Sequence, residues 1–209
     1  DTDTQYGPVV CHSVTFVDPP NKNARTWDGA VTRAINIVLS DDTTVCYDAD
    51  LLAVTGTWRG GFLDFSKTHH TSYKGNICPR PAATPVYLCL DEPGWTNETG
   101  ETETELVGYY LDGDNVILKY SIDGRTVLET PAVQGDMLTR HFHVYGAKPG
   151  LSMLVGKFEG EYKLAGQSAH VVGGETAFAC RLHGDTKNLR LRISDDKLFL
   201  DIPYTPFVK

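Results

Sequence analysis

The sequence is poor in the features that mark a familiar chemistry or a membrane. Although 41% of its residues are hydrophobic, no apolar run approaches the roughly 18 residues a membrane helix needs, so no helical membrane span is expected. Basic residues are few, 19 against 27 acidic ones for a net charge of −8. They form no cluster, which removes the electrostatic footprint of a phosphate backbone and makes nucleic acid an unexpected partner. Five cysteines, Cys11, Cys46, Cys78, Cys89 and Cys180, lack the paired spacings of zinc sites, haem attachment or thioredoxin-like chemistry. Being odd in number, they leave at least one thiol without an intrachain partner. Cys46, Cys89 and Cys180 sit among alternating apolar residues and read as small buried hydrophobes; if any two cysteines pair, Cys78 and Cys89 are the expected pair. There is no Gly-x-Ser-x-Gly elbow, no phosphate-binding glycine loop and no His-Glu-x-x-His pair, so the familiar hydrolase, nucleotidase and metalloprotease signatures are missing. Nor does any window of helical length carry a 3.6-residue apolar stripe.

Strand signals are abundant. A chain of 209 residues suits one domain of the larger all-β kind, able to bury about 70% of its unfolded surface. In "VILKYSIDGRTVLET", Val116 to Thr130, two β-rich runs flank Asp123-Gly124, a dipeptide that supplies the positive φ angles of a tight hairpin. "LVGYYLDGDNVILKY" joins a further run through Asp112-Gly113-Asp114-Asn115, and "NLRLRISDDKLFLDIP" repeats the pattern around Asp195-Asp196. "AINIVLSDDTTVCYDADLLAVTGTW" reads as three short strands separated by Ser40-Asp41-Asp42 and Asp48-Ala49-Asp50. Segments 18–29, 67–85 and 91–105, rich in Pro, Gly, Asn and Thr, are expected to be long loops. With no repeat and no shift of composition, the expected architecture is an antiparallel β-sandwich of the many-stranded kind, one domain over residues 1–209. The sequence opens on Asp1 without a charged-then-apolar leader, so it is expected to be a processed mature protein or an excised piece.

"VCYDADLLAVTGTWRGGFLDF", then "EPGW", then "GYYLDGDNVILKYSIDGRTVLETP" together form a recognisable series. It runs from an aspartate-bearing strand to a Trp-x-Gly-Gly-Phe corner, a Pro-Gly-Trp loop and a Gly-x-Tyr strand entering an Asp-Gly hairpin. Over roughly residues 6–156 the chain resembles a bacterial domain of unknown function found in large exported planctomycete and verrucomicrobial proteins. There it stands beside c-type cytochrome and β-propeller sugar-dehydrogenase-like domains. The resemblance implies a periplasmic or extracellular location and neighbouring redox or carbohydrate-active domains as partners. It carries no residue roles.

Candidate binding residues come from the chain itself. Trp58, Phe62, Leu63 and Phe65 make the corner at 51–70 mostly core, with Gly60-Gly61 as its turn, while Arg59 and Asp64 are placed at a polar rim. Trp27 and Trp95 lie in loop-like segments, where an indole could stack on a sugar or lid the end of the sandwich. Of the adjacent Tyr109 and Tyr110, one is expected to face the core and the other, Tyr110, the ligand. His69-His70 and His141-x-His143 could gather imidazoles; Asp64, Glu159 or His183 could complete a metal site, although no spacing demands it. The acidic turns at 112–115 and 195–196 are fragments of calcium loops, which keeps structural calcium open and no other cofactor expected. The expected ligand-binding set is therefore Trp58, Arg59, Asp64, His69, His70, Trp95, Tyr110, Arg140 and His143. The function that follows is a non-catalytic accessory module of an exported multidomain protein that binds carbohydrate through loop aromatics. Two alternatives stay open. One is a carbohydrate-active enzyme with Asp64 or Glu159 as acid or base and Arg140 and His143 as stabilisers; the other is a structural module that docks neighbouring domains.

Overall fold

A computed structural model of the chain describes residues 7–18, 28–66, 78–100, 102–146, 150–174, 177–184 and 187–202. In chain order the first strands are β1 (Val9–Cys11), β2 (Val14–Thr15), β3 (Ala30–Val31), β4 (Ala34–Val38), β5 (Thr43–Asp48), β6 (Ala53–Arg59) and β7 (Leu63–Asp64). They are followed by β8 (Arg80–Pro81), β9 (Pro85–Leu88), β10 (Trp95–Asn97), β11 (Thr104–Asp112), β12 (Asn115–Ile122), β13 (Arg125–Gln134) and β14 (Met137–Tyr145). The last are β15 (Leu151–Lys157), β16 (Glu161–Ala165), β17 (Ser168–Val172), β18 (Phe178–Arg181), β19 (Arg190–Ser194) and β20 (Lys197–Ile202). All pairings among the described residues are antiparallel, and no helix occurs among them. No described helix is long and apolar enough to cross a membrane. The fold is all-β: five strands in the order β1-β4-β5-β6-β9, a meander β11-β12-β13-β14, a sheet β10-β15-β20-β19, a smaller sheet β16-β17-β18, and the ribbons β2-β3 and β7-β8. None closes into a barrel, and the sheets stack as a sandwich.

Two apolar clusters hold the layers together, and they explain why β4, β5 and β6 read as nearly continuous apolar runs rather than strict alternations. One face of the five-stranded sheet, with Ile35, Ile37, Val45 and Tyr47, packs against Leu118, Tyr120, Ile122 and Val127 of the meander and Met153 and Leu198 of the third sheet. Its other face presents Cys46 and Trp58 to Val14, Val31, Phe62 and Leu63 from the two ribbons. A sheet covered on both sides loses the polar half of its alternation. Gly56 makes room on that second face, since a Cβ there would stand 2.8 Å from the Phe16 ring, which packs edge-on against Trp58 at 6.1 Å.

The hairpins form where their turn residues require them. Asp123 and Gly124 both take positive φ, 49° and 72°, the type I′ geometry that matches the twist of the strands on either side. Gly113 closes β11 onto β12 with φ 60°, and Asp195 closes β19 onto β20 with φ 55°.

Two expectations need correction here. The segments 67–85 and 91–105 are not all loop: Arg80 and Pro81 pair with Asp64 and Leu63, and Trp95, Thr96 and Asn97 pair with Met153, Ser152 and Leu151. A three-residue strand held by a partner more than fifty residues away leaves no local periodicity to read. Cys78 and Cys89 do not pair; both are free thiols. The chain brings each beside a different neighbour, Cys78 Sγ donating to Ser13 Oγ at 3.6 Å and Cys89 hydrogen-bonding the Tyr87 side chain. Cys46 is fully buried, and burial pushes its thiol up to about 12, which makes it the inert core residue expected.

Candidate ligand-binding face

The meander β11–β14 turns one face inward and leaves the other in solvent, and its register assigns each residue to a side. Leu106, Tyr120, Val127 and Val144 run side by side across the four strands on the inner face, as do Tyr109, Leu118, Glu129 and Phe142. The rows between them face outward: Glu105, Ser121, Thr126 and Tyr145 in one, and Gly108, Lys119, Leu128 and His143 in the next. Beyond these, Tyr110 stands opposite Ile117 and Thr130 opposite His141. Tyr110 owes its side to a bulge at Val107, where the register shifts between Leu106 and Gly108. Plain alternation would have put Tyr110 in phase with the inward Leu106; the extra residue reverses the phase, a common means of re-aiming a side chain.

The outer face is open. Tyr110 is 52% and Tyr145 53% exposed, and His141 and His143 are also exposed. His143 and Tyr145 stack with ring centroids 6.5 Å apart and planes 18° from parallel, so an imidazole and a phenol form one aromatic step. Between the aromatic positions lie the short hydroxyls of Ser121, Thr126 and Thr130 and the ammonium group of Lys119. Three strand spacings of about 4.8 Å separate β11 from β14, which is room for several sugar rings laid flat.

Directly beneath, on the inner face, lies a buried charge. Glu129, 1% exposed, accepts hydrogen bonds of 2.6 Å from Tyr47 Oη, Tyr120 Oη and Arg140 Nε. Burial and the neighbouring Glu129 carboxylate push both tyrosine hydroxyls far above their ordinary range. Burial works against the Arg140 charge, but Glu129 beside it holds the guanidinium protonated more firmly than usual. The guanidinium also lies 5.0 Å from the Phe142 ring centre. A carboxylate buried to 1% exposure with three donors on it is a structural acceptor, out of reach of solvent. Since Tyr47 comes from β5 and the others from the meander, the cluster bolts the two layers together.

The predicted site residues separate into five groups. Tyr110 and His143 share the outer face of the meander. Trp58 and Trp95 do not reach solvent: both are 0% exposed. Trp58 Nε1 donates to Gly61 O at 3.1 Å and Phe62 O at 2.7 Å, locking the glycine corner. Trp95 lies on strand β10 against Tyr120 and Phe142, with ring centroids 6.0 Å away in each case. Neither indole offers a face to a ligand, so stacking through these two tryptophans is withdrawn. Arg59 and Asp64 hold local structure instead: Arg59 donates to Asp136 Oδ1 at 3.0 Å and Asp136 O at 2.8 Å, and Asp64 Oδ1 accepts from Ser66 N at 2.8 Å. Arg140 belongs to the buried cluster. Trp27, His69 and His70 lie outside the described residues.

Tyr109 departs from expectation in a different way. It faces inward as one of the two tyrosines was expected to do, yet it is exposed like Tyr110. β11 is the last strand of its sheet, and there the covering layer ends; among the described residues the Cys11 thiol shares a hydrogen bond with the Tyr109 side chain. Among the described residues no three His, Cys, Asp or Glu side chains come together to hold a metal, at His141 and His143 or at either acidic turn. Tyr145 and Lys119, which share this face, were not among the candidates. Tyr145 was legible, because His141-x-His143-x-Tyr145 places all three on one strand face; Lys119 gave no signal beyond its place between Leu118 and Tyr120.

Residues 45–129, less than half of the chain, match a protein family described as a domain of unknown function, DUF6797. No curated protein and no solved structure matches the chain. The matched segment contains the Trp58 corner, the Gly94-Trp95 bend, Tyr110, Lys119 and Glu129, and ends before β14.

Proposed function

We propose that the chain is a non-catalytic module that binds carbohydrate on the outer face of the meander β11–β14. One observation carries this reading: Tyr110, His143 and Tyr145 lie exposed on one side of a single sheet, interleaved with hydroxyl, ammonium and imidazole groups. Flat aromatic rings stack on the apolar faces of sugars, and the polar groups between them pair with hydroxyls. The only buried carboxylate-centred cluster in the described layers is fully engaged in structure, which speaks for binding over acid–base catalysis. A place in an exported protein beside redox or carbohydrate-active domains belongs to the same proposal. It is supported by the series of motifs running from the aspartate-bearing strand to the Asp-Gly hairpin.

Domain docking is the second reading, favoured by the terminal strand β11. Val107 and Leu111 are exposed there along with both tyrosines, and an open apolar edge invites pairing with another chain.

A glycan array with the isolated chain, run beside a turnover assay, separates the readings. Binding without turnover is expected, and Tyr110→Ala and Tyr145→Ala should each weaken it by about 2 kcal/mol, the effect of a central aromatic anchor. The melting temperature should stay within a degree or two, because both rings are half in solvent. Binding that survives both substitutions would remove the sheet face as the site, and turnover would move the account to the enzyme reading.

A further inference from the structure

The charges on the outer face narrow the class of sugar. In a chain with a net charge of −8, the middle of this face carries no carboxylate. Its central positions are Lys119, Ser121, Thr126, Leu128, Thr130, His141 and His143, and the acidic residues on this side, Glu105 and Asp112, are confined to the edge strand β11. Lys119 makes no ion pair among the described residues. Among the described residues, Arg33, Arg59, Arg80, Arg140, Lys157, Lys163, Arg192 and Lys197 each lie against a carboxylate; Arg181, Lys187 and Arg190 do not, but they stand outside this face, and Lys119 alone of the unpaired cations lies on it. An ammonium group between two aromatic borders, with no counter-ion among the described residues, is placed to take an anion from the ligand.

Resting on the carbohydrate reading above, we infer that the ligand is a carboxylated polysaccharide, a uronate chain. In this arrangement Tyr110 and the His143–Tyr145 step hold the ring faces while Lys119 pairs with a carboxylate. One lysine and no arginine on the face suit the sparse charge of a uronate chain better than the dense charge of a sulfated one.

The test is direct binding, by calorimetry on the whole chain, of oligogalacturonate, oligomannuronate and oligoglucuronate, each beside its methyl ester. Esterification removes the charge and keeps the ring. At least one free acid should bind roughly tenfold tighter than its ester, the scale of one charged hydrogen bond, and the difference should shrink as salt rises. Lys119→Gln should abolish the difference and leave ester binding alone, whereas Tyr110→Ala should weaken acid and ester together. Equal binding of acid and ester, unmoved by Lys119→Gln, would overturn the uronate assignment and leave the carbohydrate reading standing. The same holds if a neutral oligosaccharide binds on this face while all three uronates do not. Failure of acids, esters and neutral oligosaccharides alike would overturn both.

Discussion

Replacing Arg140 by Met is expected to cost about 3–5 kcal/mol of folding stability, the usual consequence of removing one partner from a buried charge pair. Glu129 would remain at the centre of the sandwich with only the two hydroxyls of Tyr47 and Tyr120 upon it, and two neutral donors do not offset the desolvation of a carboxylate. Lost packing adds to this, since the guanidinium stands between the Phe142 and Tyr47 rings at 5.0 and 5.9 Å from their centres. Domains of this kind are stable by roughly 5–15 kcal/mol in all, so the variant should unfold at a far lower denaturant concentration. The double replacement Glu129→Gln with Arg140→Met should recover a large part of the loss, because the amide oxygen still accepts from one tyrosine while the amide NH2 donates to the hydroxyl of the other, and no charge is left buried. Urea unfolding of the two variants beside the parent checks this. Equal losses in the single and the double variant would show that the ion pair is not what holds these layers.

Gly94→Ala should be as damaging, for a purely steric reason. A Cβ at this position would lie 2.0 Å from the Leu52 carbonyl oxygen and 2.9 Å from Ala53 Cα. Both are backbone atoms of the corner between β5 and β6, so no side-chain rotation relieves the clash. The φ of Gly94 is not in the left-handed region, and the requirement for glycine comes from this close approach alone. Its amide donates to Leu51 O and its carbonyl accepts from Leu154 N, both at 2.9 Å, so displacing the bend breaks contacts to two sheets and pulls Trp95 from the core. Overpacking ordinarily costs about 1–3 kcal/mol, and with unyielding backbone on the other side the loss should lie at the top of that range or above it. Loss of soluble folded protein, or a melting temperature lowered by ten degrees or more, is the expected result. A variant that melts with the parent would mean that the bend does not pack on the Leu52 corner.

The contrast between these two positions shows what a sequence of this type discloses. Hairpins announce themselves because the turn residue and the strands on either side are contiguous: Asp123-Gly124 and Asp112-Gly113 need only their own dihedral angles and the neighbouring alternation. Strand β10 and the ribbons β2-β3 and β7-β8 do not, because each is only two or three residues long and owes its conformation to a distant partner. Trp95 was misread for that reason: Pro93-Gly94 looks like the start of a loop, and only the pairing of Trp95 with Met153 reveals a core strand. Glu129, by contrast, was legible and overlooked. It shares the inward phase of Val127 and Pro131 in "RTVLETP", and a lone carboxylate in an apolar phase marks a buried charge that needs partners. Of the proposed face, Tyr110 and His143 were candidates from the sequence, but their meeting on one sheet side depends on the bulge at Val107 and on the order of four strands. Neither is written in local spacing.

The central claim is that ligand binds across the outer face of β11–β14, and backbone amide shifts of the isotopically labelled chain during titration with a bound oligosaccharide test it most directly. The account predicts that the perturbed amides cluster on Gly108, Tyr110, Lys119, Leu128, His143 and Tyr145, with those of the five-stranded sheet unchanged. Shifts confined to other surfaces, or to the β11 edge alone with the amides of β12–β14 unmoved, would contradict it.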